Sequence, residues 1–519
     1  MTAQELFEIG MAYERMGKMD HALRSYSSII AQWPHEIAPY HRLSVIALEQ
    51  RDPSLALVWI EKALAIDNDV VGLWNNRALA LAELARFDEA HSSFERAIEL
   101  NKNNWEAYYN LGRMLLVQKR YAEAEAPLRQ AAEIDPNSAD TFNNLGLVLH
   151  QLYRYEEACD AFDRAIALKP DYIETISNKG ASLYFSHRFP EAEDTFNKAI
   201  AIAPDSTAGV RYNLACLKMC QGRLKEGLEE YEWRWKTPEW VPPRKYFGRP
   251  LWRGNTLRGE TILVWHEQGL GDTIQFVRYI HDLAKQDCEI VVEVQPQLYR
   301  LLTASFSLPN VKFIRAGATP PTFDLHVPMI SLARILGITY ESMPAIKPYV
   351  RPRGREIEDW RGKLKTLTLP ENRRKKRIGI AWYGNPSHPG DRNRSMFWEA
   401  FSPLITENKD RFQFFSLQPG GKPEDPDIID LGDSLTDFAI TAAIVTNLDL
   451  VISVDTSLVH LAGALGKRVW TLLFYTPDWR WVIGDERTKW YPSMSLFWQK
   501  KPGEWYDVIQ EVTETLALE

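Results

Sequence analysis

From residue 3 to about 236, the pattern of apolar and small positions repeats every 34 residues. Each period carries two blocks with helical spacing, so each predicts a pair of amphipathic helices. The periods register at 3–36, 37–70, 71–104, 105–138, 139–172 and 173–206, and a seventh begins near 208. The eighth position is small throughout: Gly10, Ser44, Ala78, Gly112, Gly146, Gly180 and Ala215. The twentieth is Ala22, Ala56, Ala90, Ala124, Ala158, Ala192 and then Gly227. Small residues there predict helices that cross closely, where anything larger would force them apart. The twenty-fourth is bulky, from Tyr26 and Ile60 to Phe196 and Tyr231, and is expected to fill the gap between helix pairs. Pro34, Pro136, Pro170 and Pro204 stop the second helix of their periods. From 259 the pattern turns to short apolar runs alternating with helical stretches, which predicts an α/β fold. Strands are expected at 261–267, 289–294, 311–314 and 325–328, then at 377–383, 412–417, 448–455 and 468–474.

A period of 34 residues with paired helices is that of tetratricopeptide repeats. Such arrays stack into solenoids whose concave face binds extended peptides or proteins. The sixth position of successive periods reads Glu8, Arg42, Asn76, Asn110, Asn144, Asn178 and Asn213. A lone Asn here would brace the neighbouring repeat. Five in register suit a second role, because a carboxamide both donates to and accepts from a peptide backbone without reading its side chains. The predicted organisation is an array over 1–236, a connector over 237–258, a first Rossmann-like half over 259–350, a charged linker over 351–376 and a second half over 377–519. In the connector region Pro238, Pro242, Pro243 and Pro250 break helices, and Trp233, Trp235, Trp240 and Trp252 are expected to pack. A last helix over about 503–519 would pack back across the halves.

A chain of 519 residues exceeds one core, so about two to four domains are expected. A hydrophobic content of 45% with 25% charged residues is that of a globular protein in water. The net charge of −8 argues against a partner nucleic acid held by phosphate neutralisation. The first residues carry no apolar leader and no run is long enough to insert in a membrane, so a cytoplasmic location is expected. The cysteines are sparse, as in a reducing compartment, and Cys216 with Cys220 reads as burial rather than a metal pair.

The chemistry centres on LDLVISVDTSLVHLAGALG, 448–466. A buried strand ends in Asp455, Thr456 and Ser457, and a helix follows with His460 in its first turn. This is either an ordinary capped turn or an anion site, since free N–H groups and the helix dipole favour a phosphate there. The stretch DTSLVHLAGALGK resembles the donor-binding motif of GT-B glycosyltransferases related to bacterial heptosyltransferases and the O-GlcNAc transferase group. That resemblance implies that Asp455, Thr456, Ser457 and His460 bind the nucleotide-sugar phosphate. Two Rossmann-like halves facing each other are the GT-B arrangement, with the site in the cleft between them.

The first strand leads into GLGDTIQF, 269–276, which lacks the third Gly of a dinucleotide fingerprint because residue 274 is Ile. Asp272 reads either as a helix cap or as a base facing the cleft, with Gly269 and Gly271 letting the acceptor and sugar approach the backbone. The loop resembles the first loop of the heptosyltransferase family, whose Asp is the proposed base; that implies Asp272, with His266 and Glu267 as further candidates. In WYGNPSHPGDRNRS, 382–395, Arg394 and Arg392 are placed to stabilise a departing phosphate, as the resemblance also implies. Gln418 leads into Pro419-Gly420-Gly421, a turn suited to the nucleotide base. Asp425-Pro426-Asp427 reads as a loop, so metal-independent transfer with no cofactor is expected, and Arg373 to Arg377 as a solvated basic run. The segment 476–499 resembles the end of bacterial proteins that join tetratricopeptide repeats to a heptosyltransferase-like domain, and most of its aromatics are expected in the core.

The array itself resembles the superhelix of O-GlcNAc transferase, where an Asn ladder holds the acceptor protein. The expectation is an inverting protein O-glycosyltransferase that delivers a Ser or Thr hydroxyl to the cleft. Some relatives modify flagellin with nonulosonic acids, so the resemblance admits flagellin as acceptor and CMP- as well as UDP-sugars as donors. Two rivals stand beside it: an adaptor whose transferase half is inactive, and a transferase acting on a lipid or glycan.

Overall fold

The computed structural model describes residues 1–237, 248–343, 348–388 and 390–519. Pro238, Trp240, Pro242 and Pro243 of the connector lie outside the described residues. The chain divides into two compact units, Met1–Leu183 and Tyr184–Glu519.

The first unit is built of helical hairpins: α1 (Ala3–Arg15) with α2 (Met19–Gln32), α3 (Ile37–Glu49) with α4 (Pro53–Leu64), α5 (Val71–Glu83) with α6 (Phe87–Leu100), α7 (Trp105–Val117) with α8 (Tyr121–Ile134), and α9 (Ala139–Gln151) with α10 (Tyr155–Leu168). Helix α11 (Ile173–Phe185) runs on into the second unit. The small eighth residue and the bulky twenty-fourth meet inside one repeat. A Cβ on Gly10 would stand 2.6 Å from the Tyr26 ring, one on Gly112 2.5 Å from Leu128, and one on Gly146 2.5 Å from Phe162. The bulky side chain therefore fills a notch in its own hairpin, not only the gap between hairpins. The tight turns place Gly17, Arg51, Ala85, Lys119 and Tyr153 at positive φ, between 57° and 69°.

The second unit begins with α12 (Phe189–Ile202), α13 (Ala208–Cys220), α14 (Leu224–Tyr231) and a 3-10 turn at Glu232–Lys236. A first α/β half follows: β1 (Glu260–Trp265), α15 (Leu270–Phe276), α16 (Ile280–Leu283), β2 (Cys288–Val294), α17 (Pro296–Ser305), β3 (Val311–Arg315), β4 (Leu325–Pro328) and α18 (Ser331–Ile335). Its strands form a parallel sheet in the order β3-β2-β1-β4. Then come α19 (Gly354–Leu367), β5 (Lys376–Ala381), α20 (Asp391–Arg394), α21 (Trp398–Thr406), β6 (Phe412–Ser416), β7 (Ile429–Asp430), α22 (Phe438–Thr446), β8 (Leu450–Val454), α23 (Ser457–Ala464), β9 (Val469–Leu473), β10 (Met494–Trp498) and α24 (Tyr506–Ala517). The second sheet is also parallel, in the order β10-β9-β8-β5-β6-β7.

Three expectations change here. The stretch read as a linker carries α19, which buries Trp360 and Leu364 and packs on α22. These two buried residues, four apart, stand among charges that mask the apolar face. The Trp-rich segment contributes an edge strand, β10. The final helix α24 packs on α21 and β10 within the second half, not across the halves.

Trp252 of the connector is buried, and its main-chain N–H donates to His326 O in β4 (2.8 Å). Arg234, fully buried, donates to Glu267 Oε2 (2.7 Å) and Ser331 Oγ (3.0 Å), with its guanidinium over Tyr231 and Trp235. Glu267 also accepts Ile330 N–H (2.9 Å). Glu267, a candidate base from sequence, is thus committed to joining the helices to the first half.

Candidate functional site

Parallel strands present their C-terminal ends on one edge, where ligands of α/β sheets bind. In the second unit a cavity of about 1290 Å³ lies at that edge. Its walls come from the segments following β1, β5, β6, β8 and β9, with Phe185, Tyr212 and Tyr231 from the helices before the sheets. It brings together Gly269, Gly271, Asp272, Arg394, Gln418, Asp455, Thr456, Ser457 and His460.

Thr456 is the N-cap of α23, its Oγ1 accepting Leu458 N–H (3.3 Å). Asp455 Oδ2 accepts the indole N–H of Trp481 (2.8 Å). Burial pushes the Asp455 carboxyl up to about 6, and the nearby Asp478 acts in the same direction. His460 is buried, stacked near Trp481 and 3.1 Å from the Tyr491 hydroxyl. Burial pushes its imidazole well below the usual range, and Arg480, Arg278 and Arg394 add to that. A neutral ring brings no positive charge to a phosphate. Arg394 does, but its Nε donates to Asp391 (3.1 Å) and its Nη1 to Asp455 O (3.1 Å). Gln418 is buried, and its Oε1 accepts the N–H groups of Trp382 and Tyr383, each at 3.1 Å. It thereby pins the loop after β5 to the end of β6. Arg392 does not line the cavity.

On the opposite wall α15 starts at Leu270, so Asp272 is its third residue. Its Oδ2 accepts Gly269 N–H (2.7 Å) and its Oδ1 pairs with Arg480. Burial raises the Asp272 carboxyl, against the pull of Arg480. The N-cap is Gly269 and not Asp272, whose carboxylate bonds back to it from the first turn while also lining the cavity. Gly271 has a packing reason of its own, since a Cβ there would stand 2.8 Å from His460 Cδ2. The missing side chain lets α15 lie against α23. His266 does not line the cavity; its Nδ1 lies 3.5 Å from Glu293.

The segment after β9 was not singled out for chemistry, yet Asp478, Trp479 and Arg480 enter the cavity. Arg480 is buried and pairs with both Asp272 and Asp478. Asp478 and Arg480 interleaved with Trp479 and Trp481, just past a buried strand, were the available signal.

In the first unit Asn76, Asn110, Asn144 and Asn178 are half-buried. Asn110 Nδ2 donates to Asn75 Oδ1 (3.3 Å) and Asn178 Nδ2 to Asn143 Oδ1 (3.2 Å). At those two positions the carboxamide braces the preceding repeat. Asn213 lies on α13 in the second unit. Asp425 and Asp427 both face Lys409, at 3.5 and 2.8 Å. Among the described residues no group of three or more His, Cys, Asp or Glu is placed to hold a metal, and no helix is long and apolar enough to cross a membrane.

Comparison with known proteins agrees on the repeats. Tetratricopeptide-repeat models match residues 6–35, 75–139 and 137–205. The chain is 25% identical over 340 residues to Protein FlbA of Caulobacter vibrioides, covering 60% of this chain. It spans about half the length of that relative, 55%. Among solved structures, YrrB, described as a TPR protein with an unusual peptide-binding site, aligns with 22% identity and a TM-score of 0.32, over 35% of this chain and 93% of YrrB. A tetratricopeptide repeat protein from Parabacteroides merdae aligns with 19% identity and a TM-score of 0.36, over 44% and 91% of the two chains. The N-terminal helices are tetratricopeptide repeats, and repeats of this kind take a peptide or protein partner.

Proposed function

We propose that the chain is a GT-B glycosyltransferase that moves a sugar from a nucleotide-sugar to a Ser or Thr hydroxyl of a protein. The observation that carries this is the cavity itself: Asp272 on one wall faces the Asp455, Thr456 and Ser457 turn, Gln418 and Arg394 on the other. In the reaction, Asp272 accepts the acceptor's hydroxyl proton as the oxygen bonds to the anomeric carbon. The bond from that carbon to the phosphate oxygen breaks, and the nucleotide leaves with the electron pair. The positive end of the α23 dipole and the Arg394 guanidinium hold the growing negative charge. The half-buried Asn76, Asn110, Asn144, Asn178 and Asn213 are the acceptor-binding residues of this reading, with a backbone as their ligand.

A thermal-shift screen against UDP-, GDP-, ADP- and CMP-sugars tests the donor site, repeated with Asp455→Ala. A ligand-induced rise that the variant abolishes supports the reading. No rise with any nucleotide at high concentration rejects it. The adaptor reading has one observation in its favour: Asp272 and Arg394 already have partners within the fold. If it holds, the repeats bind a protein while every sugar nucleotide leaves the melting point unchanged. Replacing Asn110, Asn144 and Asn178 together by Ala separates a protein acceptor from a lipid or glycan. Loss of acceptor modification with donor binding intact supports a protein acceptor, and indifference excludes it.

A further inference from the structure

Arg480 has no role in the motifs above, yet it is the most heavily bonded charge in the cavity. It lies on the loop after β9, in the second half. Its Nε donates to Gln275 Oε1 (2.6 Å) and its Nη2 to Asp272, both on α15 of the first half. Its Nη1 reaches Asp478 on its own loop. The guanidinium lies 4.3 Å from the centre of the Trp479 ring, and its main-chain oxygen accepts the Trp490 indole N–H (2.9 Å). Asp272 and Gln275 are one helical turn apart, so a planar fork can grip both at once. Lysine has no such geometry.

We propose that Arg480 is the positioning residue of the candidate base: anchored in the donor-side half, it reaches across to fix and keep ionised the Asp272 carboxylate of the acceptor-side half. The inference rests on the glycosyl-transfer reading. Each carboxylate oxygen accepts more than one hydrogen bond, so Asp272 keeps room for a hydroxyl beside Gly269 N–H and Arg480. The groups facing it set its titration. Arg480 favours the anion. Asp478 on the same loop and burial oppose it. His388 from the loop after β5 feels the Asp272 charge, and a neutral His460 on α23 adds none. Arg480 is thus the cation that answers both the burial and Asp478. Trp479 and Tyr231 pack against each other, as do His187 and Tyr475 (4.1 Å between ring centres), so this loop is seated on the last helical repeats.

The test follows nucleotide release from the sugar nucleotide that stabilises the full chain, with water as acceptor, between pH 5 and 9. The proteins are wild type, Arg480→Gln, Arg480→Lys, Asp272→Asn and Asp478→Asn. Arg480→Gln is expected to lower kcat by about 10²-fold, the lower end of what a general base supplies, with the donor KM little changed. Its acid limb should move to higher pH, because burial and Asp478 then act on Asp272 with only main-chain N–H groups, that of Gly269 among them, to oppose them. Arg480→Lys should restore the position of the limb but only part of the rate. Retained stabilisation by the sugar nucleotide shows that each variant is folded. A raised KM with kcat unchanged makes Arg480 a donor ligand and overturns the proposal. So does an unmoved acid limb, or a rate lost in Asp478→Asn and kept in Asp272→Asn. A wild-type chain that releases nucleotide from no donor overturns the glycosyl-transfer reading, and this proposal falls with it.

Discussion

Asp455→Asn offers a measurement in which the site's electrostatics and the fold's stability are the same quantity. The Asp455 carboxyl is raised from 3.8 to about 6, first by burial and then by Asp478. A carboxyl with a higher pKa in the folded state binds its proton more tightly there. Its favourable contribution is whole below the unfolded value and is lost as the pH climbs through 6. By pH 8 the folded chain has ionised a group in a place that resists it, at about 3 kcal/mol. Asparagine copies the protonated form and still accepts the Trp481 indole N–H. The variant should therefore be more stable than wild type by up to about 3 kcal/mol at pH 8, by about half of that at pH 5, and by about 0.5 kcal/mol at pH 4. Of 18 tryptophans only Trp33, Trp59, Trp74 and Trp105 precede Tyr184, so tryptophan fluorescence in urea reports chiefly on the second unit. An advantage that does not change between pH 8 and pH 5, or a variant weaker than wild type at pH 8, would refute the assignment of a buried, destabilised carboxylate. The same substitution should weaken stabilisation by the sugar nucleotide, which is the usual trade between activity and stability.

Other perturbations read other parts of the molecule. Gly146→Ala pushes a Cβ to 2.5 Å from the Phe162 ring; overpacking of about 1–3 kcal/mol outweighs the roughly 1 kcal/mol that Ala gains in a helix. Its far-UV circular dichroism midpoint should fall, and a rise would mean that the notch has slack. Arg234→Met leaves Glu267 buried without its cation and should cost about 3–5 kcal/mol by urea unfolding. Adding Glu267→Gln should recover part of that loss, whereas additive losses would show that the pair is not coupled. The rise in melting point given by a sugar nucleotide should survive excess EDTA, because Lys409 already holds Asp425 and Asp427; a chelator-sensitive rise would place a metal in the site.

The repeats were legible because a 34-residue period fixes residue type at fixed positions many times over. Eight of the ten strands described were legible too, since both faces of each parallel sheet are covered and the runs are mostly apolar, whereas the short β7 and the edge strand β10 were not. The Asp455 turn and the α15 loop could be read from strand ends and caps. Arg480 could not: its partners Asp272 and Gln275 are more than 200 residues away, and only the packing of α15 on α23 brings them near. Glu267 and His266 stood at the right strand end, but local order does not say which way each side chain turns. Glu267 turned to Arg234, and His266 away from the cavity. Helix α19 was missed because most of its residues are polar and its apolar contact with α22 is narrow.

The bracing role of the asparagine row and its proposed acceptor-binding role can be separated by one experiment. Asn143 is buried, and its Oδ1 accepts from both Asn178 Nδ2 and Thr175 Oγ1 (2.9 Å). The fifth position of one repeat is therefore the anchor, and the sixth position of the next is what it holds. Bracing spends one N–H of the Asn178 carboxamide and leaves the second N–H and both oxygen lone pairs for another ligand. On the proposed reading, bracing and peptide capture would be successive uses of one side chain, the first fixing the carboxamide in the orientation that the second needs. Asn143→Ala removes the anchor from inside the array and leaves Asn178 in place. It should cost about 1 kcal/mol of array stability by circular dichroism and also weaken acceptor modification. Asn178→Ala leaves Asn143 bonded to Thr175, so it should cost less stability yet weaken acceptor modification at least as much. If the two variants lose stability and acceptor modification in the same proportion, the row is a brace and nothing more, and the acceptor's path along the repeats must be sought on another face.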